Sequence, residues 1–207
     1  MRFTRNLSIW QKLLLSAGVI GAAASFGSLS TFASFTSSTS VSNTPATGTV
    51  TIALGATGAS TNRLNLGATD LAPGDTMQRS FDLTNSGTID LASVTLTTTA
   101  SPSSLLDTDT DNGLQITIDR CSVAWTESGS SPAYTYTCGG ATSVVLASRP
   151  VIGSSIALSN LTATTAGATD HLRITITLPG TAGNTFQNLT SSITYAFTGT
   201  QRTATNK

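Results

Sequence analysis

Leu172-Arg173-Ile174-Thr175-Ile176-Thr177-Leu178 and, further on, Ile193-Thr194-Tyr195-Ala196-Phe197 alternate apolar and polar residues without a break. A period of two sends one set of side chains to a buried face and the other to solvent, which is the signature of a half-buried β-strand. The same pattern runs upstream. Val50 to Leu54 alternates, Arg63 to Leu66 reads as a short strand, and Met77 to Thr84 places Phe81 and Leu83 on one face. Leu114, Ile116 and Ile118 follow, then Val144 to Leu146 and Ile156 to Leu158. Pro73-Gly74-Asp75 and Asn85-Ser86-Gly87 are turn signals between them. Ile89 and Leu91 lie in one phase, Val94 and Leu96 in the other, so a bulge is expected near Ala92-Ser93. The phase changes again at Arg120-Cys121. About ten short strands with frequent turns predict an all-β fold, a jelly roll or β-sandwich. No helical period is visible beyond the N-terminal signal helix.

Composition narrows the function. The 207 residues carry no net charge, only 10% are charged, and Ser (28) and Thr (39) make up about a third of the chain. The basic excess of a nucleic-acid binder is missing, so no nucleic-acid partner is expected. With 39% hydrophobic residues the chain can bury a core, unlike a charged disordered segment.

The N-terminus reads as a targeting segment. Arg2, Arg5 and Lys12 precede the apolar run Leu13 to Ala24, which suits a signal-peptide core and is short for a membrane span. Thr31 and Ala33 fit a cut between Ala33 and Ser34, with Ala22-Ala23-Ala24 as a second candidate and an uncleaved anchor as the alternative. Residues 1–33 are thus read as signal peptide, 34–48 as an N-terminal segment and linker, and 49–207 as the sandwich. Cleavage removes three of ten basic residues and no acidic one, leaving a charge of −3. Contact with a membrane is expected only through the uncleaved signal. Export permits a Cys121–Cys138 disulfide. Cys121, Val123 and Trp125 then share one face and Tyr134, Tyr136 and Cys138 another, with Glu127 to Pro132 as a polar loop: a hairpin clipped by the disulfide.

Catalytic constellations are absent from the sequence. His171 is the single histidine and reads as a strand-end surface residue. There is no HExxH zinc motif, no GxSxG before a helix and no spaced carboxylate pair. No enzyme activity and no cofactor are expected. The exception to weigh is calcium at Asp107, Asp109 and Asp111, whose alternate spacing starts like a calcium loop. The sixth and twelfth positions are Asn112 and Ile118 instead of Gly and Glu, so a solvated turn is the plainer reading.

Several segments together resemble the TasA/camelysin family of exported matrix proteins. They are Thr31-Phe32-Ala33-Ser34-Phe35, Thr47-Gly48-Thr49-Val50-Thr51-Ile52, and Leu71-Ala72-Pro73-Gly74-Asp75 with Arg79 to Ile89. The last runs from Asn184-Thr185-Phe186-Gln187-Asn188 to Tyr195 and Gln201. The stretch from about Ser101 to Asp170 has no clear counterpart. The resemblance implies a jelly-roll subunit of extracellular or biofilm-matrix fibres, processed by a dedicated signal peptidase. It also implies filaments built by adding the segment freed at cleavage as a donor strand to the next subunit. Here that segment is Ser34 to about Asn43, with Phe35, Ser37, Thr39 and Val41 facing the acceptor and Phe35 as anchor. Other matrix or cell-wall components would be further partners. Two rivals stand beside this expectation. One is a monomeric cell-surface binding or adhesion module, with Trp125 and Tyr134 as contacts unless they are paired core aromatics. The other is a secreted peptidase, as the camelysin label implies.

Overall fold

The computed structural model describes residues 49–65 and 71–204. The expected signal segment with its expected cut at Ala33–Ser34, and the expected donor positions Phe35, Ser37, Thr39 and Val41, lie outside the described residues. Ten strands form, all paired antiparallel: β1 (Ile52–Leu54), β2 (Thr76–Asn85), β3 (Leu91–Ala100), β4 (Gln115–Cys121), β5 (Thr126–Ser130), β6 (Ala133–Thr137), β7 (Thr142–Pro150), β8 (Gly153–Ala157), β9 (Thr169–Thr177) and β10 (Ile193–Gln201). The predicted all-β class is the observed one. A five-stranded sheet in the order β1-β2-β9-β4-β7 faces a three-stranded sheet, β10-β3-β8, and β5-β6 form a separate hairpin.

Alternation explains the core. On β9 Leu172, Ile174 and Ile176 are buried while His171, Arg173 and Thr175 point the other way. Phe81 and Leu83 on β2 and Ile116 and Ile118 on β4 share that inner face. Val94, Leu96 and Ile156 meet them from the three-stranded sheet, and the Phe81 and Phe197 rings join the two layers with centroids 5.1 Å apart. A fully buried side chain of this size contributes about 1.5–3 kcal/mol. The expected bulge is present. Thr200 pairs with Ser93 and Gln201 with Leu91, so Ala92 is the extra residue and both phases of β3 reach the core.

Three expectations are corrected. Of the strand expected over Arg63 to Leu66, the described part, residues 63–65, is not a strand: Asn62 makes one isolated bridge to Phe81, and the chain then turns at Leu64-Asn65. The Arg63 side chain is held by Glu127 and the Gly58 carbonyl, which bends the segment away from the sheet. The hairpin has different arms. Cys121 is fixed at the end of β4 by pairing with Thr142 and His171, so residues 122–125 are a connection. Glu127, expected in a loop, pairs with Tyr136 inside the hairpin, and the turn is only Ser131-Pro132. Finally, helical turns interrupt the strands among the described residues: a short helix, α1 (Leu105–Thr108), and a 3-10 turn at Asn184–Phe186. Helix α1 starts at a capping box in which the Ser104 hydroxyl accepts from Leu106 N–H and Asp107 accepts from Ser104 N–H.

Candidate functional site

β2 has two exposed aspects, and the site lies where they meet. Its even-numbered residues turn their backbone groups to the outer edge of the sheet. Gly55 N–H donates to Asp82 O, Asp82 N–H to Thr61 O, and Arg63 N–H to Ser80 O. β1 itself covers only Leu83–Asn85. Toward Thr76, no strand among the described residues continues along this edge. There a cleft of about 760 Å³ opens between β2 and β10. Met77, Leu106, Leu114, Ile176 and Phe186 are among its apolar lining; Arg79, Tyr195 and the polar side chains of the 187–192 stretch also line it. At the other end β1 closes the gap. A Cβ on Gly199 would meet Ile52 Cδ1 at 2.5 Å, so a glycine there lets β1 approach β10.

Arg79 is the anomaly of the cleft. It occupies the inward phase of β2 between Met77 and Phe81, and is 1% exposed. Its Nη1 donates to Gln78 O at 2.6 Å, the next even-numbered carbonyl on the outer edge. Burial pulls its pKa below the usual guanidinium value, against the attraction of Tyr136, Tyr134 and Tyr195. Burial likewise pushes the Tyr195 hydroxyl up to about 12. One wall of the cleft is tied down through Asp107. Burial alone would raise this carboxyl, but bonds from Ser103, Ser191 and Ser104 outweigh it and hold it below the usual range. Ser191 joins the residues 184–192 segment to α1 in this way.

The outer face of the five-stranded sheet is roofed by the β5-β6 hairpin. The predicted disulfide is present, joining Cys121 of β4 to Cys138 just past β6 with Cα atoms 5.7 Å apart. Around it the contacts are polar. Tyr136 N–H donates to the Gln78 side chain, and Arg173 donates to Tyr136 O and to Asp119. Arg63 makes a two-pronged pair with Glu127, at 2.6 and 2.9 Å, and Tyr136 Oη donates to the same carboxylate. The Arg63 bond, opposed by desolvation and helped by Tyr136, keeps the Glu127 carboxyl below its ordinary range.

The remaining candidate residues are dispersed. Trp125 and Tyr134 are neither paired with each other nor in the core. Trp125 donates to His171 O under the Arg173 guanidinium, while Tyr134 has Arg63 and Arg79 over its ring at 4.9 and 5.9 Å. Asp107, Asp109 and Asp111 do not converge. Asp107 caps α1, and Asp109 Oδ1 accepts from Asp111 and Asn112 N–H, which hold that carboxyl below its usual range. His171 Nδ1 pairs with Asp82 at 2.7 Å. The cleft and Arg79 were missed in the sequence as a site. The legible signal was a charged residue in the buried phase of β2.

The structure defines a class: an antiparallel β-sandwich with a disulfide-anchored roof and an open side cleft. A family model described as camelysin metallo-endopeptidase matches residues 8–206. The chain belongs to this TasA/camelysin family. No curated protein matches it. The family's description implies a metal, and the described residues do not supply a donor set for one. Among the described residues no three His, Cys, Asp or Glu side chains group around a common point. Both cysteines are bonded to each other, and His171 is turned to Asp82.

Proposed function

We propose that this protein is an exported structural subunit that assembles into extracellular fibres by strand addition, and that the side cleft beside β2 is the acceptor. Membership of the TasA/camelysin family supports a secreted protein. The observation that carries the assembly reading is the cleft: a trough of about 760 Å³, with apolar side chains at one end and polar ones beside them, running beside a strand edge that β1 leaves uncovered. Strand addition needs both parts, an edge for main-chain hydrogen bonds and pockets for alternate side chains. The occupant is the segment Ser34 to about Asn43 of a second copy. Its alternate positions Phe35, Ser37, Thr39 and Val41 enter the trough, with Phe35 as anchor. A head-to-tail contact of this kind does not close on itself and yields a filament. A dedicated signal peptidase frees the segment, and other matrix or cell-wall components join the fibre. The subunit is not an enzyme in this reading and needs no cofactor; calcium at Asp107, Asp109 and Asp111 has no role in it.

Negative-stain microscopy and size exclusion on chains beginning at Ser34 and at Thr49 test the proposal. Filaments from the longer form and monomers from the shorter are expected. Monomers from both at high concentration would leave the strand-addition reading without a mechanism and favour a monomeric binding module.

A further inference from the structure

We propose that Arg79 is a built-in guard of the β2 edge, covering the carbonyl that an incoming strand must use. This rests on the strand-addition reading and adds its regulation. The geometry is a series. Along the outer edge of β2 the even-numbered carbonyls Asp82 and Ser80 accept from backbone N–H groups of Gly55 and Arg63. The next one, Gln78, accepts instead from the Arg79 guanidinium at 2.6 Å. A strand added beside Thr76–Gln78 would place its own N–H at that carbonyl. The guanidinium therefore occupies the first bond that lengthening of the edge would make.

Its surroundings fit such a role. Exposed strand edges invite pairing with other chains, and charged side chains laid across them are a known means of preventing it. A charge-assisted bond holds Gln78 O more tightly than a neutral amide would. The same guanidinium is almost wholly buried at the cleft, so holding it there carries a desolvation cost. Tyr134 of the roofing hairpin steadies it, with the ring centre 5.9 Å from the guanidinium carbon. An arriving segment that supplies an N–H to Gln78 O and apolar side chains to Met77 and Ile176 replaces the guard's bond and lets the charge move outward. Subunits thus stay apart until a segment long enough to fill the cleft arrives, because a short or weakly apolar peptide cannot displace the guard.

The test uses the secreted chain from full-length expression, as wild type, Arg79→Met and Tyr134→Leu. Assembly is followed by light scattering and electron microscopy against concentration, with near-ultraviolet circular dichroism to check folding. Arg79→Met is expected to lower the concentration needed for filaments about tenfold and to shorten the lag. Tyr134→Leu lies on the roof, away from the buried position, and is expected to shift it about threefold the same way. Should Arg79→Met not fold, Tyr134→Leu carries the test. Folded variants that assemble at the wild-type concentration or above it overturn the guard while leaving the fibre reading intact. Wild-type chain and variants that all remain monomeric overturn the fibre reading itself, and the guard with it.

Discussion

On its outer face β2 is roofed by β5-β6 through side-chain hydrogen bonds, an ion pair and a disulfide, whereas along its Thr76–Arg79 edge it borders an open cleft lined by apolar and polar groups together. The roof is covered by the chain's own residues, and most of its polar groups find a specific partner within the chain. The cleft keeps main-chain capacity and apolar surface together, the combination that another strand can use. Directional polar contacts hold a fixed element in one place, while an open trough beside a strand edge leaves room for a strand to be added. Arg79 has a foot in both regions: it lines the cleft and stacks toward Tyr134 of the roof.

The comparison can be broken most severely where the cleft meets the core. Phe81 is fully buried, two residues along β2 from Arg79, and packs on Phe197. Phe81→Ala should cost about 3–5 kcal/mol by lost burial plus a cavity, read as a lower urea midpoint. A loss under about 1 kcal/mol would mean that the Phe81–Phe197 contact does not join the two layers as its burial implies.

The roof is tested next. Replacing both Cys121 and Cys138 with Ser opens a crosslink spanning 17 residues, which should cost about 3 kcal/mol. Hydrogen exchange should speed up in Thr126–Thr137 well before it does in β9. Equal acceleration in both would show that roof and sandwich unfold as one unit, and the contrast between the two regions would lose its energetic meaning.

A smaller effect comes with a pH signature. Glu127→Gln keeps the shape but removes the charge that Arg63 and Tyr136 bind, at side-chain exposures of 19% and 17% for the ion pair. The expected loss at neutral pH is about 1.5 kcal/mol. Because the folded Glu127 pKa lies below its ordinary value of 4.5, its contribution is full above that value. It is lost as pH falls through the lower folded pKa. Wild type and variant should therefore converge in urea melts at low pH. A gap that persists undiminished below pH 3 would assign the loss to packing.

Much of this contrast was legible in the residues, and the boundary has a physical cause. The clean alternations Leu172–Leu178 and Ile193–Phe197 became β9 and β10 because each strand buries one face only. The phase slip at Ala92-Ser93 announced its bulge for the same reason. The roof was half read. The disulfide was expected, but Cys121, Val123 and Trp125 alternate without forming a strand, since β7 and β9 fix where β4 ends. Glu127 looked like loop because its partner Arg63 is 64 residues away. Polar pairs at that separation leave no periodic trace. The Ser104-x-x-Asp107 capping box was a local signal, overlooked beneath the carboxylate spacing that suggested calcium. The cleft is a relation between β2, β10 and the 184–192 segment, which no single stretch contains.

The smallest predicted effect concerns the far corner of the roof. Arg173 on β9 lies over the Trp125 ring at 4.5 Å, donates to Asp119 at 2.8 Å and to the Tyr136 carbonyl at 3.3 Å. Arg173→Lys keeps the charge but loses the planar fork that serves ring, carboxylate and carbonyl at once. The expected cost is about 0.5–1 kcal/mol, seen as a small drop in urea midpoint and a change in Trp125 fluorescence. The assembly threshold should not move, because Arg173 lies on the roofed face and does not line the cleft. A shift in threshold as large as that expected for Tyr134→Leu would mean that the whole roof, and not the Arg79 end of it alone, controls access to the β2 edge.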